Sequence, residues 1–302
     1  MCGIVGLHLR TPELYPRLGE LLTGMLCEMG DLGQRLAGVA VYGNPAWSPA
    51  GAGCVSVADL GTGRAEDADQ VAAAVAAALG SDVAGVAVGG SHVLSADVAS
   101  EVLLTAVRSA YPDALVAGFG PDVAVLKGVG HPRDLTAGWE LAKAQGWQGV
   151  GHTRMATESA VTPAGCHPYA VGPGQCMVHN GSFANHATIR RELRAAGVTF
   201  DSENDTEVGA RFIARLLAEG RDVESALKEL CATFDGFYTL LVSNRDSFAV
   251  VRDAIACKPA VIAETADWVA MGSEYRALAA LPGVEQARIW EPEPEVVYAW
   301  SR

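Results

Sequence analysis

The sequence predicts an α+β protein in which antiparallel sheets pack against each other and are covered by helices. Short, β-branched apolar runs bounded by glycine or turn residues occur at the amino terminus and again through residues 236–272, and they indicate strands. Segments with apolar residues at helical spacing precede the carboxy-terminal strands. Helices in front of successive strands joined by short turns favour stacked sheets with helices on their outer faces.

The predicted elements follow from these patterns in chain order. The run CGIVGLHL at 2–9 predicts a buried strand that begins at the terminus, and it is followed by a helix over 18–29 and a strand over 38–42. In the second half, polar residues gather where strands end, at 150–154 and 175–181. The later segments predict helices over 186–196, 205–219 and 225–233, and strands over 236–243, 248–252, 260–264 and 268–272.

Residues from about 44 to 140 differ in composition from the rest and predict an α/β subdomain inserted into a single domain spanning 1–302. Alanine and valine dominate this region, with helices predicted over 67–79 and 96–111 and a strand over 115–119. His92 and His131 are isolated there, and an isolated histidine is more often structural or solvated than catalytic. We therefore expect the chemistry to lie outside the insertion.

The overall composition excludes several classes of function. The formal net charge is −13 and the acidic residues are spread along the chain, so we expect no nucleic-acid partner. The seven cysteines form no CxxC pair and no zinc-finger spacing, and we expect no metal site. The first apolar run is too short for a signal peptide and no run suits a membrane span, so the expected location is the cytoplasm.

Cys2 is the first candidate for chemistry. Removal of Met1, which is normal before a small residue, would leave Cys2 with both a thiol and a free α-amine. The amine, whose pKa is ordinarily about 8, can act as the base that activates the thiol. Alternatively, this cysteine is merely part of a buried first strand.

A second candidate lies in the segment Gly-His-Thr-Arg-Met-Ala-Thr at 151–157, where a strand ends in a single arginine. Arg154 can bind a carboxylate with two parallel hydrogen bonds, and Thr157 can complete the binding site. A solvated surface ion pair is the alternative for Arg154.

The segment Val-His-Asn-Gly-Ser at 178–182 gives the third candidate. The side-chain amide of Asn180 and the backbone N–H of Gly181 could form an oxyanion hole for a tetrahedral intermediate. An ordinary Asn-Gly hairpin turn is the alternative.

The fourth candidate precedes a predicted helix, in Glu-Asn-Asp-Thr-Glu at 203–207. The carboxylate of Asp205 could bind the ammonium group of an amino-acid substrate. Asp205 or Thr206 could also simply cap the helix, and capping is compatible with ligand binding.

Taken together and in this order, the segments resemble the class II glutamine amidotransferases. This N-terminal-nucleophile family includes glucosamine-6-phosphate synthase, phosphoribosylpyrophosphate amidotransferase and glutamate synthase. The matching motifs are MCGIVG at 1–6, GHTRMAT at 151–157, His167-Pro168, HNGS at 179–182 and NDTE at 204–207.

The resemblance implies a fold and a set of roles. The fold is a four-layer αββα sandwich of two antiparallel sheets. Cys2 would be the nucleophile, Arg154 the anchor of the glutamine α-carboxylate, and Asp205 the partner of its α-amine. Asn180 and Gly181 would form the oxyanion hole, with Thr157 and His167 as supporting members of the glutamine site.

The carboxy-terminal segments Lys-Pro-Ala-Val at 258–261 and Met-Gly-Ser-Glu-Tyr-Arg at 271–276 resemble the stand-alone amidotransferase subunits related to glutamate synthase and N-methylglutamate synthase. This implies a hetero-oligomer with a flavin-dependent synthase subunit and a β-helical subunit. FMN, alone or with an iron–sulfur cluster, would then belong to a partner, because this chain has no GxGxxG after a strand, no Walker loop and no iron–sulfur cysteine spacing.

Two further hypotheses remain open. At 32–36 the chain reads Leu-Gly-Gln-Arg-Leu where the family has Arg-Gly-x-Asp-Ser, and this change is the ground for an inactive or weakened scaffold or regulatory subunit. The other hypothesis is an N-terminal-nucleophile hydrolase that acts on a different amide and does not need the amino-acid head group of its substrate.

Overall fold

A computed structural model describes residues 2–30, 36–154 and 162–302. Within these ranges the chain forms three sheets, and all the strand pairs in them are antiparallel. The strands are β1 Gly3–Leu9, β2 Leu36–Tyr42, β3 Gly53–Asp59, β4 Ala84–Val88, β5 Ser91–Ala96, β6 Leu115–Pro121, β7 Val123–Val129, β8 Gln148–Arg154, β9 Cys176–Phe183, β10 Gly236–Ser243, β11 Ser247–Arg252, β12 Val261–Glu264, β13 Trp268–Gly272, β14 Arg288–Trp290 and β15 Tyr298–Ser301. The helices are α1 Leu18–Glu28, α2 Ala68–Leu79, α3 Ser100–Ala110, α4 Pro132–Gly138, α5 His186–Ala195, α6 Asp205–Ala218 and α7 Val223–Thr233.

Two of the sheets stack face to face. The large sheet has the order β14-β12-β13-β1-β8-β2-β7, and the second sheet has the order β15-β11-β10-β9. Between them lies an apolar layer that includes Ile4 and Met271 from the large sheet and Val178, Leu241 and Phe248 from the second. This layer is the central core of the protein.

Helices cover the outer face of each sheet. Helix α1 packs on the large sheet through Leu22 and Leu26, which lie against Gly149 and Gly151 of β8. A Cβ atom at Gly149 would lie 2.5 Å from Leu22 Cδ2, so glycine allows the helix to approach the strand. Helices α5, α6 and α7 cover the second sheet through a separate apolar cluster. The four-layer αββα arrangement of the sequence-based expectation is confirmed.

The third sheet, in the order β4-β5-β3-β6, lies within the region where an insertion is expected. Helices α2 and α3 pack on it, and they bury Val71 and Leu103 against Val55 and Leu94. Strand β7 also falls within the range 44–140, but it pairs with β2 in the large sheet. The third sheet therefore ends at Pro121, well before residue 140.

Most predicted elements lie within two residues of the observed bounds, including α1, α5, α7, β10 and β13. The helix predicted over 96–111 is wrong at its start, because Ala96 pairs with Gly53 in the third sheet and the helix begins at Ser100. Strands β3, β4, β5, β7, β14 and β15 were not among the predicted elements.

Candidate active site

The candidate residues lie around one cavity of about 290 Å³ at the ends of the two stacked sheets. Six of the seven predicted site residues line it, namely Cys2, Arg154, His167, Asn180, Gly181 and Asp205. The seventh, Thr157, lies outside the described residues, as do Met1 and residues 32–35 of the altered segment.

Strand β1 fixes Cys2 at the edge of the cavity. The strand is held between β8 and β13, and the Ile4 amide donates to Ser273 Oγ at 2.9 Å. Gly3 is needed here because a Cβ atom would lie 2.8 Å from Met29 Cβ. Cys2 is partly exposed and forms no disulfide, which suits a nucleophile.

Arg154 is at the end of β8, beside the start of β1. In the register of these antiparallel strands Gly3 is opposite Thr153, so the chain direction brings Cys2 and Arg154 to the same end of the sheet. The half-buried Arg154 side chain donates from Nη1 to the carbonyl oxygen of Gly165 at 2.8 Å. This hydrogen bond orients the guanidinium at the cavity wall.

Asn180 and Gly181 approach from the second sheet, on β9. Asn180 Nδ2 donates to the carbonyl oxygen of Cys2 at 3.1 Å, which joins the amide directly to the nucleophile residue. Gly181 has a φ of +143°, and a Cβ atom there would lie 2.0 Å from the carbonyl oxygen of Phe237 on β10. Only glycine fits this position.

Asp205 is the first residue of α6 and lies on the cavity wall. The cap of this helix is Asn204, whose Oδ1 accepts from the Thr206 amide at 2.8 Å, so the expectation that Asp205 or Thr206 caps the helix is wrong. Asp205 Oδ2 instead accepts from the Phe183 amide at 2.9 Å. This bond fixes the carboxylate between α6 and the end of β9.

Three buried histidines form the floor of the cavity. His152 stacks on His167 with ring centroids 4.1 Å apart, and the Thr206 hydroxyl lies 3.3 Å from His167 Nε2 and 2.8 Å from His179 Nδ1. Burial lowers the pKa of His152 to about 3 and that of His179 to about 4, and it lowers the pKa of His167 well below its ordinary value. All three rings are therefore neutral at neutral pH.

The hydrogen bonds assign the tautomers. His167 Nδ1 accepts from the His179 amide at 3.1 Å, so the proton of this ring is on Nε2 and faces Thr206 Oγ1. The Thr206 hydroxyl can then donate to His179 Nδ1. One hydroxyl thus links two neutral imidazoles on the helix end that carries Asp205.

Sequence reasoning missed several lining residues: His152, His179, Asn204, Thr206 as a hydrogen-bonding centre, and Lys258. The two histidines stand within two positions of Arg154 and Asn180, and this proximity was the available signal. Lys258 is reached through the fold alone, since it follows β11 by six residues.

The described residues contain no group of three or more His, Cys, Asp or Glu side chains arranged to hold a metal ion. No helix in the described ranges has the length and apolar character that crossing a lipid bilayer requires.

The amino-acid sequence of residues 152–280 matches the family model described as a glutamine amidotransferase domain. Over 312 residues the chain is 45% identical to the glutamine amidotransferase-like protein GlxB of Rhizobium meliloti (strain 1021), and the match covers 100% of this chain and 98% of that protein. With its layered fold, the chain belongs to the class II glutamine amidotransferases.

Two other proteins illustrate the range of this similarity. A putative glutamine amidotransferase of Methanothermobacter thermautotrophicus is 30% identical over 164 residues, which are 54% of this chain and 54% of that protein. The structure of glutamine phosphoribosylpyrophosphate amidotransferase from B. subtilis, complexed with ADP and GMP, matches with a TM-score of 0.55 and 19% identity. That match covers 99% of this chain and 49% of the other, and it concerns the fold alone.

Proposed function

We propose that this chain is the glutaminase subunit of an amidotransferase complex. It hydrolyses L-glutamine to glutamate and ammonia through a γ-glutamyl thioester on Cys2, and it passes the ammonia to a partner synthase. The observation that carries the proposal is the meeting of Cys2, Arg154, Asn180 and Asp205 at one cavity. Its volume of about 290 Å³ is close to the roughly 300 Å³ at which small-molecule sites begin.

The charges around the cavity suit the head group of a free amino acid. The three histidines are neutral, so the charged side chains among the described lining residues are Arg154, Lys258 and Asp205. We assign the glutamine α-carboxylate to Arg154 and the α-ammonium to Asp205. His167, which is hydrogen-bonded to the His179 amide, supports the site from below, and Thr157 is assigned by resemblance to the same site.

The reaction begins with a proton transfer. Once Met1 is removed, the α-amine of Cys2 takes the thiol proton and the thiolate attacks the γ-amide carbon of glutamine. The resulting oxyanion accepts hydrogen bonds from Asn180 Nδ2 and the Gly181 amide. Nδ2 carries two hydrogens, so one can remain on the Cys2 carbonyl while the other is free for the oxyanion.

The intermediate collapses by releasing ammonia, with the α-ammonium of Cys2 returning its proton to the leaving nitrogen. Water then attacks the thioester carbonyl, the same amine accepts a proton from the water, and glutamate leaves with the thiol restored. The same pair of donors stabilises both tetrahedral intermediates.

The acceptor of the ammonia belongs to another chain in this proposal. The sequence has no nucleotide-binding loop and no iron–sulfur motif of its own. By resemblance we assign the second half-reaction to a flavin-dependent synthase that holds FMN, alone or with an iron–sulfur cluster, and that is assembled with a β-helical subunit in the cytoplasm. Isolation of the native complex with flavin absorbance would support this assignment, and isolation of the chain without any such subunit would contradict it.

The glutaminase step is tested by measuring glutamate and ammonia released from L-glutamine by protein whose mass shows that Met1 is absent. Cys2→Ala should abolish release, whereas Cys257→Ser, which changes an exposed thiol that does not line the cavity, should leave it unchanged. No release by the wild type, or equal release by Cys2→Ala, would contradict the proposal. An inactive wild type that still assembles with its partner would favour the scaffold hypothesis.

A further inference from the structure

A second, smaller cavity lies next to the candidate glutamine site. Its volume is about 50 Å³, and it is lined by residues of α3 and β6 in the third sheet's layer, by β7, and by the residues that lead into α6. The two cavities lie along the same two segments: His167 and Thr206 line the larger one, and Tyr169 and Glu207 line the smaller one. The third sheet thus contributes one wall of a partly open cavity close to the candidate glutamine site.

Lys127 is the unusual residue of this cavity. It lies on β7 on the same face as Val123 and Val125, which are core residues, and only 7% of its surface is exposed. Nζ lies 5.0 Å from the centre of the Tyr169 ring. Throughout the described ranges Nζ has no hydrogen-bond acceptor and no carboxylate within ion-pair distance. Burial lowers the pKa of the Lys127 ammonium, and the nearby carboxylates of Glu207 and Asp201 offset this effect only in part.

The other charges around the cavity already have partners. Arg211 pairs with Asp201 at 2.7 Å and with Glu207 at 3.0 Å, and Arg108 lies 3.8 Å from Asp201. The described lining therefore carries three cationic and two anionic side chains, and the unbalanced charge is that of Lys127. One negative charge would neutralise the site.

Size and polarity define the ligand further. A space of about 50 Å³ holds roughly three to five water-sized probes at about 10–15 Å³ each, which is too little for an amino acid such as glutamine. The wall formed by β6 is apolar, with Leu115, Ala117 and Phe119 facing the space. An apolar wall opposite a cation favours a short alkyl chain attached to an anionic group.

We propose that this cavity is a binding site for a short-chain monocarboxylate of two or three carbons, whose carboxylate pairs with Lys127 Nζ and whose alkyl end packs against Ala117 and Phe119. Inorganic phosphate carries more negative charge than the single lysine balances, and chloride has no apolar group to pack against β6. Both therefore bind more weakly than a short monocarboxylate.

The site is connected to the glutamine site by hydrogen bonds. Glu207 accepts from the Asp201 amide at 2.8 Å and from the Ser202 amide and hydroxyl, each at 2.7 Å. Ser202 Oγ accepts from the Asn204 amide at 3.2 Å, and Asn204 caps the helix that begins with Asp205. Ser202 and Glu207 form part of the cavity wall, so a ligand bound to Lys127 restricts the movement of this loop and should lower the KM for glutamine. This kinetic consequence, unlike the binding itself, rests on the proposed glutaminase function.

Binding is tested without glutamine by titrating the full chain with sodium acetate and sodium propionate at constant chloride, using calorimetry and ligand-observed NMR. We expect saturable binding to the wild type and to the control Lys228→Met, which removes an exposed lysine from α7. Lys127→Met should weaken binding at least about tenfold. Ala117→Val, which narrows the cavity and keeps the lysine, should weaken it similarly.

Circular dichroism establishes whether each variant is folded. If Lys127→Met does not fold, the carboxylate titrations of the wild type and of Ala117→Val decide the proposal. The proposal is overturned if neither carboxylate binds the wild type saturably, if the folded Lys127→Met or Ala117→Val binds as the wild type does, or if phosphate or chloride displaces acetate at equal concentration. A lower KM for glutamine with bound acetate supports the connection to α6. An unchanged KM contradicts that connection and leaves the binding site itself to be decided by the titrations.

Discussion

The Thr206 hydroxyl links two neutral histidines, and its removal makes a quantitative prediction. Thr206 is 1% exposed, and Thr206→Val keeps its shape while removing Oγ1. His167 Nε2 then loses its acceptor at 3.3 Å and His179 Nδ1 loses its donor at 2.8 Å. Each buried group left without a partner costs about 1–3 kcal/mol, so the free energy of unfolding should fall by about 2–6 kcal/mol. Both histidine rings line the cavity, and water in the cavity can replace part of the lost hydrogen bonding. We therefore expect a loss near the lower end of this range.

The measurement is urea denaturation followed by circular dichroism at pH 7, with Thr206→Ser as the matched control. Serine keeps the hydroxyl and loses one methyl group, which should cost about 1 kcal/mol. The reasoning is refuted if the free energy of unfolding of Thr206→Val is within about 0.5 kcal/mol of the wild-type value, which is the change expected for a surface substitution. It is also refuted if Thr206→Ser is less stable than Thr206→Val. Either result would mean that the shared hydroxyl does not hold the histidine pair.

Three further predictions concern the same region. Burial lowers the folded-state pKa of His152 to about 3 and that of His179 to about 4, whereas both have a pKa of 6.5 in the unfolded chain. The contribution of these neutral rings to the free energy of unfolding is therefore fully present above pH 6.5 and is lost as the pH falls. Each should cost about 2 kcal/mol of stability by pH 5, and an unfolding midpoint in urea that stays constant between pH 7 and 5 would contradict this. Gly181→Ala should lower both thermal stability and glutaminase activity, because its Cβ atom would lie 2.0 Å from the Phe237 carbonyl oxygen. The control is Gly24→Ala in α1, where the added Cβ atom meets open space. This control should leave activity unchanged and raise the free energy of unfolding by up to about 1 kcal/mol. If Gly181→Ala behaves like Gly24→Ala, the close approach of β9 and β10 is not a constraint. Arg154→Lys should raise the KM for glutamine at least about tenfold, as measured by steady-state kinetics, since lysine lacks the planar pair of donors, and an unchanged KM would remove Arg154 from the substrate site.

The layered core could be predicted from the sequence because its strands are apolar and its helices are amphipathic. Strand β1 and the strands from β10 to β13 are short apolar runs between turn residues, and α1 and α6 follow the helical period. In these elements the local hydrophobic pattern and the tertiary packing favour the same secondary structure.

The third sheet was harder because its strands are poor in local signal. Strand β4 reads Ala-Gly-Val-Ala-Val and is largely exposed at the edge, and Ala96 suits a helix as well as the strand in which it pairs. Strand β7 contains Lys127, which a pattern reading assigns to the surface, although the side chain is buried next to a cavity. Its partner β2 is more than eighty residues away along the chain, and no local pattern indicates that pairing.

The candidate site was predictable where a residue carries its own chemistry, and less so where its role depends on neighbours. Cys2, Arg154 and Asp205 each have a charge or a nucleophile that suggests a ligand. Thr206 and His179 acquire their roles only through the fold, which brings the start of α6 against β9. A hydroxyl shared by two rings has no signature in the sequence.

The central claim is that Cys2 attacks glutamine and carries the γ-glutamyl group. Its most direct test is an acid quench of the Met1-free protein during turnover of L-glutamine, followed by intact mass and peptide mapping. The account predicts a γ-glutamyl adduct on Cys2 that is absent from Cys2→Ala and disappears as glutamine is exhausted. Glutamate release without an adduct on Cys2, together with equal release by Cys2→Ala or by protein that retains Met1, would contradict it.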